Sequence, residues 1–162
     1  MTEQTKKKIT VYAISIAIPL AVGGLSAYLT KDNMQIYSTV ETPPLSPPSI
    51  LFPIAWTILY ILMGISAATV LIDREKDPVS ADRGLSRYAL SLAFNFVWSI
   101  LFFNFQNFLF SFVWLLVLLA LIIGTILSYH SVSKKAAYLQ IPYALWVAFA
   151  GYLNFGILYL NP

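Results

Sequence analysis

The stretch YALSLAFNFVWSILFFNFQNFLFSFVWLLVLLALIIGTILSYHSVS, Tyr88 to Ser133, decides the fold, because it runs 46 residues without one Asp, Glu, Lys or Arg. As a single helix it would rise roughly 70 Å, at about 1.5 Å per residue. The hydrocarbon core of a bilayer is only about 30 Å thick, so the run must fold back on itself. Its polar break is Asn104-Phe105-Gln106-Asn107. Two spans are therefore predicted, helix 3 over about Ala81–Phe103 and helix 4 over about Phe108–His130.

The flanking sequence supplies three more. Ile9 to Thr30 is uncharged and follows Lys6-Lys7-Lys8. It is longer than the 7–15-residue apolar core of a cleaved signal peptide, so it reads as helix 1. Helix 2 is expected from about Ser49 to Ile72, with Pro53 in its first turn, where a missing N–H costs nothing. Lys134-Lys135 turn the chain into helix 5, about Ala136–Tyr159. Residues 31–48, KDNMQIYSTVETPPLSPP, hold four prolines and read as an extended loop over one end. The expected fold class is an all-α, integral membrane bundle of five transmembrane helices, forming one domain over 1–162. Composition agrees: 59% of residues are hydrophobic, 10% are charged, and mean hydropathy is +0.74. A soluble domain carries about 25% charge.

The basic residues give the topology. Lys6, Lys7 and Lys8, then Arg74, Lys76, Arg83 and Arg87, then Lys134 and Lys135 all fall on one side of a five-span chain; Lys31 alone falls on the other. By the positive-inside rule the N-terminus is cytoplasmic, and the Pro-rich loop and C-terminus lie outside the cell membrane. The same placement explains the net charge of +3 without nucleic acid. The chain has no cysteine, which removes disulfides and thiolate metal sites.

No Asp, Glu, Lys or Arg is expected in a span core, which disfavours proton relays, ion coupling and voltage sensing. His130 falls at the cytoplasmic end of helix 4 as an interfacial residue. No nucleophile–base pair, phosphate loop or metal set occurs in the sequence, so no metal site is expected. What the spans do hold is aromatic and amide side chains at matched depth. Trp56 lies about seven residues into helix 2, roughly 10 Å down. Asn95 and Trp98 lie five to eight residues from the outer end of helix 3, and Trp146 near the middle of helix 5 with Tyr152 and Asn154 above it. Spacing alone leaves two readings open: a pocket for a flat, largely apolar ligand, or packing, with Asn95 bonding between helices and the tryptophans in an interfacial belt. Trp114 fits the belt. Gly23-Gly24, Ser26 and Ala27 in helix 1, and Ala89 and Ala93 in helix 3, allow close helix approach, within the monomer or across a homodimer seam on helix 3.

Three segments carry a resemblance. Pro43-Pro44-Leu45-Ser46-Pro47-Pro48 with Phe52 to Trp56 and Leu59-Tyr60, then Ala93 to Ser99 with Phe102-Phe103, then Ile141 to Trp146 with Ala148 to Asn154, occur in order on helices 2, 3 and 5. In these the chain resembles bacterial members of the translocator protein family (TspO/MBR, tryptophan-rich sensory proteins, peripheral-type benzodiazepine receptors). The resemblance implies a five-helix bundle, often a homodimer, that binds porphyrins, sterols and benzodiazepine-type drugs and in some members degrades protoporphyrin in light. It implies Trp56 and Trp146 as paired pocket tryptophans and as the redox-active pair of any such degradation. Tyr60, Asn95, Trp98, Ser99, Phe102 and Ala150 are then lining residues, and Tyr37 a loop tyrosine reaching the ligand. The family usually has tryptophan where Leu45 stands, and often at Ile36, so the lid carries less aromatic surface. No basic residue follows Tyr152, so the family's sterol pattern is incomplete.

The function expected is a membrane receptor for porphyrins and similar flat apolar ligands, with no required cofactor and with protoporphyrin IX or haem as ligand. Whether it also catalyses light- and oxygen-dependent degradation is left open. The alternatives are a non-catalytic transporter of apolar metabolites or lipids, and a regulatory membrane interaction protein.

Overall fold

Four short polar residues start four of the five helices, as expected where exposed amide N–H groups need an acceptor. The computed structural model describes residues 2–162. Thr2 caps α1 (Glu3–Thr30), Asp77 caps α3 (Pro78–Ser99), Asn107 caps α4 (Phe108–Val132) and Ser133 caps α5 (Lys134–Leu160). Helix α2 (Leu51–Ile72) starts without a side-chain cap; the carbonyls of Pro48 and Ser49 accept from Leu51 and Phe52 instead. All five helices are long and apolar enough to cross a membrane. Large apolar side chains such as Ile14, Ile18, Leu116 and Leu127 face outward, the pattern of helices apolar on every side. This is a multi-pass membrane protein.

The elements differ from expectation at their ends. Helix α1 begins six residues before Ile9, carrying Lys6 to Lys8 as part of the helix. Helix α3 begins at Pro78, so Arg87 lies well inside it, half-buried, donating to the Gly124 carbonyl at 3.0 Å and to Ser128 Oγ at 2.9 Å. A charged residue therefore does lie within a span, with its head turned onto α4. The loop is not extended throughout: Met34–Ser38 form a 3₁₀ turn ahead of the prolines.

The polar break in the long uncharged run has a defined anatomy. Helix α3 continues into a π-helical turn, Ile100–Asn104, closed by the Phe105 N–H on the Ile100 carbonyl at 3.1 Å. Gln106 then takes a positive φ of 51°, and the Asn107 side chain accepts from the Phe110 N–H at 3.1 Å. Widening the last turn re-aims Phe102 and Phe103, and such turns are frequent at functional sites.

The helices pack in the order α1–α2–α5–α4–α3, with a thinner seam between α3 and α1 closing the ring. At Gly64 a Cβ would lie 2.5 Å from the Ile16 Cα, so α1 and α2 cross backbone to backbone there. The loop end is strapped on both sides. Asn104 donates to the Leu29 carbonyl at 3.1 Å and accepts from Asn33 at 2.8 Å, which closes the α1–α3 seam. On the other side Asn161 pairs twice with the Glu41 backbone, Tyr152 donates to the Pro44 carbonyl at 2.7 Å, and Pro43 seats against Gly156.

Candidate functional site

Beneath that strap lies a cavity of about 430 Å³ walled by α1, α2, α3, α5 and the loop. Small-molecule sites span roughly 300–1,000 Å³. Its walls follow from local sequence. On α1, Gly23, Gly24, Ser26 and Ala27 present almost no side chain, so this helix forms a smooth wall. A Cβ at Gly23 would run into the Tyr60 ring, whereas one at Gly24 would meet nothing within 4 Å. Gly23 is thus a slot for Tyr60, and Gly24 borders open space.

Two stacked aromatic pairs add to the lining. Trp56 stacks on Tyr60 one turn on along α2, with centroids 5.4 Å apart, and Trp98 of α3 stacks on Phe102 of the π-helical turn at 5.4 Å. Tyr37 descends from the loop against Phe52 and Phe102, at 5.2 and 6.4 Å. Most polar groups in the walls are already committed. Asn154 accepts from Trp98 Nε1 at 3.3 Å and donates to the Phe108 carbonyl at 2.8 Å; Thr30 and Thr57 donate to carbonyls of their own helices. The Tyr60 hydroxyl accepts from Asn95 Nδ2 at 2.9 Å, which leaves its own proton to give. The outcome is an apolar slot with a few hydroxyls at its edges.

Of the residues singled out from sequence, Tyr37, Trp56, Tyr60, Trp98, Ser99, Phe102 and Ala150 line this one cavity. Two stand outside its lining. Asn95 lies behind Tyr60 and reaches the cavity only through that hydroxyl. Trp146 lies behind Phe52, whose ring meets it edge-on at 6.1 Å. Phe52 takes the wall position; Asn154, set at matched depth by the sequence, also lines the cavity, while Phe52 and Leu153 were not anticipated as lining. The signal for the α1 wall was present as the small residues Gly23, Gly24, Ser26 and Ala27, which were read only as helix contact. Trp114 is more than a belt residue: it stacks on Phe94 at 4.2 Å and donates to the Phe94 carbonyl at 2.8 Å, binding α4 to α3. Leu45 is 84% exposed at a φ of 68° and does not line the cavity, so a larger ring there would not by itself extend the wall.

Comparison with known proteins converges on one group. The TspO/MBR family matches residues 15–160. A tryptophan-rich protein TspO of Chlorobaculum tepidum is 41% identical over 158 residues, which cover 96% of this chain and 99% of that protein. One from Archaeoglobus fulgidus is 39% identical over 91% of this chain and 94% of its own length. The translocator protein of Bos taurus is 32% identical, covering 85% of this chain and 82% of the bovine protein.

Proposed function

The chain belongs to the TspO/MBR family, and from that premise we propose that it is a membrane receptor for porphyrins and similarly flat apolar ligands, held in the cavity under the loop. The observation that carries this reading is the apolar cavity whose lining includes both the Trp56–Tyr60 and the Trp98–Phe102 stacks. Ring systems stack favourably on such walls, and a few placed hydroxyls orient them. Tyr60 and Tyr37 offer those hydroxyls; Asn95 acts as a positioning residue by holding Tyr60. Protoporphyrin IX or haem enters as ligand, and no resident cofactor is required.

The test is a protoporphyrin IX titration read by quenching of tryptophan fluorescence. Ala150→Phe places a ring at a buried residue of the cavity lining, and abolishes binding in this reading. Trp56→Phe weakens it, while Trp146→Phe, one layer back, changes it little. Wild-type affinity in Ala150→Phe removes the cavity as the site.

Light-dependent degradation is the catalytic extension of the same reading. Trp56 is then the tryptophan in reach of a bound ring, with Trp146 behind Phe52. Protein- and oxygen-dependent bleaching of bound porphyrin under illumination supports it; flux across proteoliposomes without bleaching supports a transporter of apolar metabolites instead. The proposed setting is the cell membrane, N-terminus cytoplasmic and C-terminus outside, with lipids as neighbours. A homodimer through α3 is proposed on the exposed pair Ala89 and Ala93.

A further inference from the structure

Below the cavity floor, toward the end of the bundle that carries the basic residues, lies a set of polar side chains that the receptor reading does not use. Asn95 spends Nδ2 on Tyr60, and its Oδ1 has no protein partner. Gln140 spends Nε2 on Ser66 Oγ at 3.2 Å, and its Oε1 has none. Among the described residues, the hydroxyls of Tyr88, Tyr129 and Tyr143 have none either. All five side chains are deeply buried, Tyr88 the most exposed at 7%.

These groups come from three helices and run down the bundle interior. Tyr143 lies near Tyr60 and Tyr88, with the Ser91 hydroxyl as its nearest side-chain hydrogen-bonding neighbour, and Tyr129 lies near Tyr88. Gln140 lies three residues before Tyr143, on the same face of α5. Ser66 turns its own proton to the Ala136 carbonyl at 2.7 Å, which fixes it as an acceptor for Gln140. Lipid offers no hydrogen bond, so a polar atom here is satisfied by protein or by water. The chemistry of the set suits water. Two amide oxygens accept only and three hydroxyls both donate and accept, and a buried water needs two to four such partners.

We propose that the interior between α3, α4 and α5 is a built water site, in which ordered waters bridge Asn95, Tyr143, Tyr88, Gln140 and Tyr129. The chain runs from the cavity floor at Tyr60 to within about one turn of the basic end, since Tyr129 lies three residues from the end of α4. Tyr60 belongs to both sites: its ring stacks in the cavity wall and its hydroxyl is held by Asn95. A polar group on a ligand placed at Tyr60 therefore meets a hydrated path, and the apolar slot has a wet floor. The site stands whether or not the cavity's ligand is a porphyrin.

X-ray radiolytic footprinting of the ligand-free protein in nanodiscs tests it, because bound water is the source of hydroxyl radicals beside buried residues. After correction for intrinsic side-chain reactivity, Tyr88 and Tyr143 are expected to oxidise several-fold faster than Leu118, which is fully buried and lines no cavity. Oxidation of both at the corrected Leu118 rate overturns the site, whatever any variant does. Tyr143→Phe gives an independent sign. Removing a hydroxyl from a hydrated site strands its water and lowers the thermal midpoint, whereas removing a dry, unpartnered hydroxyl raises it. A raised midpoint in Tyr143→Phe overturns the proposal too.

Discussion

Two adjacent glycines in α1 should respond oppositely to the same change. Gly→Ala in a helix interior stabilises by about 0.5–1 kcal/mol through backbone entropy and propensity. Gly24 receives only that effect, because a methyl there meets nothing within 4 Å. At Gly23 the methyl meets the Tyr60 ring, which can retreat only toward the cavity and by giving up its present contacts. The ring is stacked on Trp56, and its hydroxyl is held by Asn95. Overpacking of this kind costs about 1–3 kcal/mol. If Tyr60 yields by breaking its hydrogen bond, the stranded buried Asn95 amide adds about 1–3 kcal/mol. Gly23→Ala is therefore expected to be destabilising by about 1–5 kcal/mol, and Gly24→Ala stabilising by up to about 1 kcal/mol. The glycine-to-alanine gain is common to both, so at about 2–4 °C per kcal/mol for a chain of this length the clash alone separates the two midpoints by at least about 2 °C. Thermal unfolding in detergent, followed by intrinsic fluorescence, measures this directly. Adding Tyr60→Leu should rescue Gly23→Ala and leave Gly24→Ala unchanged. Equal midpoints for the two glycine variants would refute the packing argument, and with it the place of Tyr60 in the cavity wall.

Three further outcomes follow from single residues. Leu45 is the third residue of the Pro43–Ser46 turn at a φ of 68°, where a side chain costs about 1–2 kcal/mol; Leu45→Gly should raise the thermal midpoint while leaving ligand affinity unchanged. Asn104→Ala removes both bonds of the seam between α1 and α3 and should speed amide hydrogen exchange over 28–38, with the basic end unaffected. Asp77 caps α3, and its hydrogen bonds with Ser80, the side-chain bond first, hold its carboxyl below the ordinary carboxylate value. Because the folded value is the lower one, this contribution is fully present above about pH 4 and is lost as pH falls through the lowered value. Asp77→Asn, which keeps the cap's acceptor oxygen, should flatten that part of the acid-unfolding profile measured by circular dichroism.

The number of spans, their order and their apolar character were settled by the sequence itself, because a bilayer imposes a length and a composition that one chain either meets or does not. The break at 104–107 shows this well. Asn104, Gln106 and Asn107 had to leave the apolar interior, and they became a seam bond, a left-handed turn and a helix cap. Tyr37, Trp56, Tyr60, Trp98, Ser99, Phe102 and Ala150 were found through family segments and matched depth, both of which are properties of one helix at a time. Which face of each helix turns inward is not such a property. Depth put Trp146 and Asn95 level with the cavity, but rotation about α5 and α3 set them behind Phe52 and Tyr60. These helices are apolar all round, so their pattern carries no strong mark of the buried side. Interhelical packing decides it, through contacts such as Gly64 on Ile16, Gly23 on Tyr60 and Trp114 on Phe94. The same packing gathered Tyr88, Tyr129, Tyr143, Gln140 and Asn95 from three helices into one interior, a grouping that exists only once the bundle has closed.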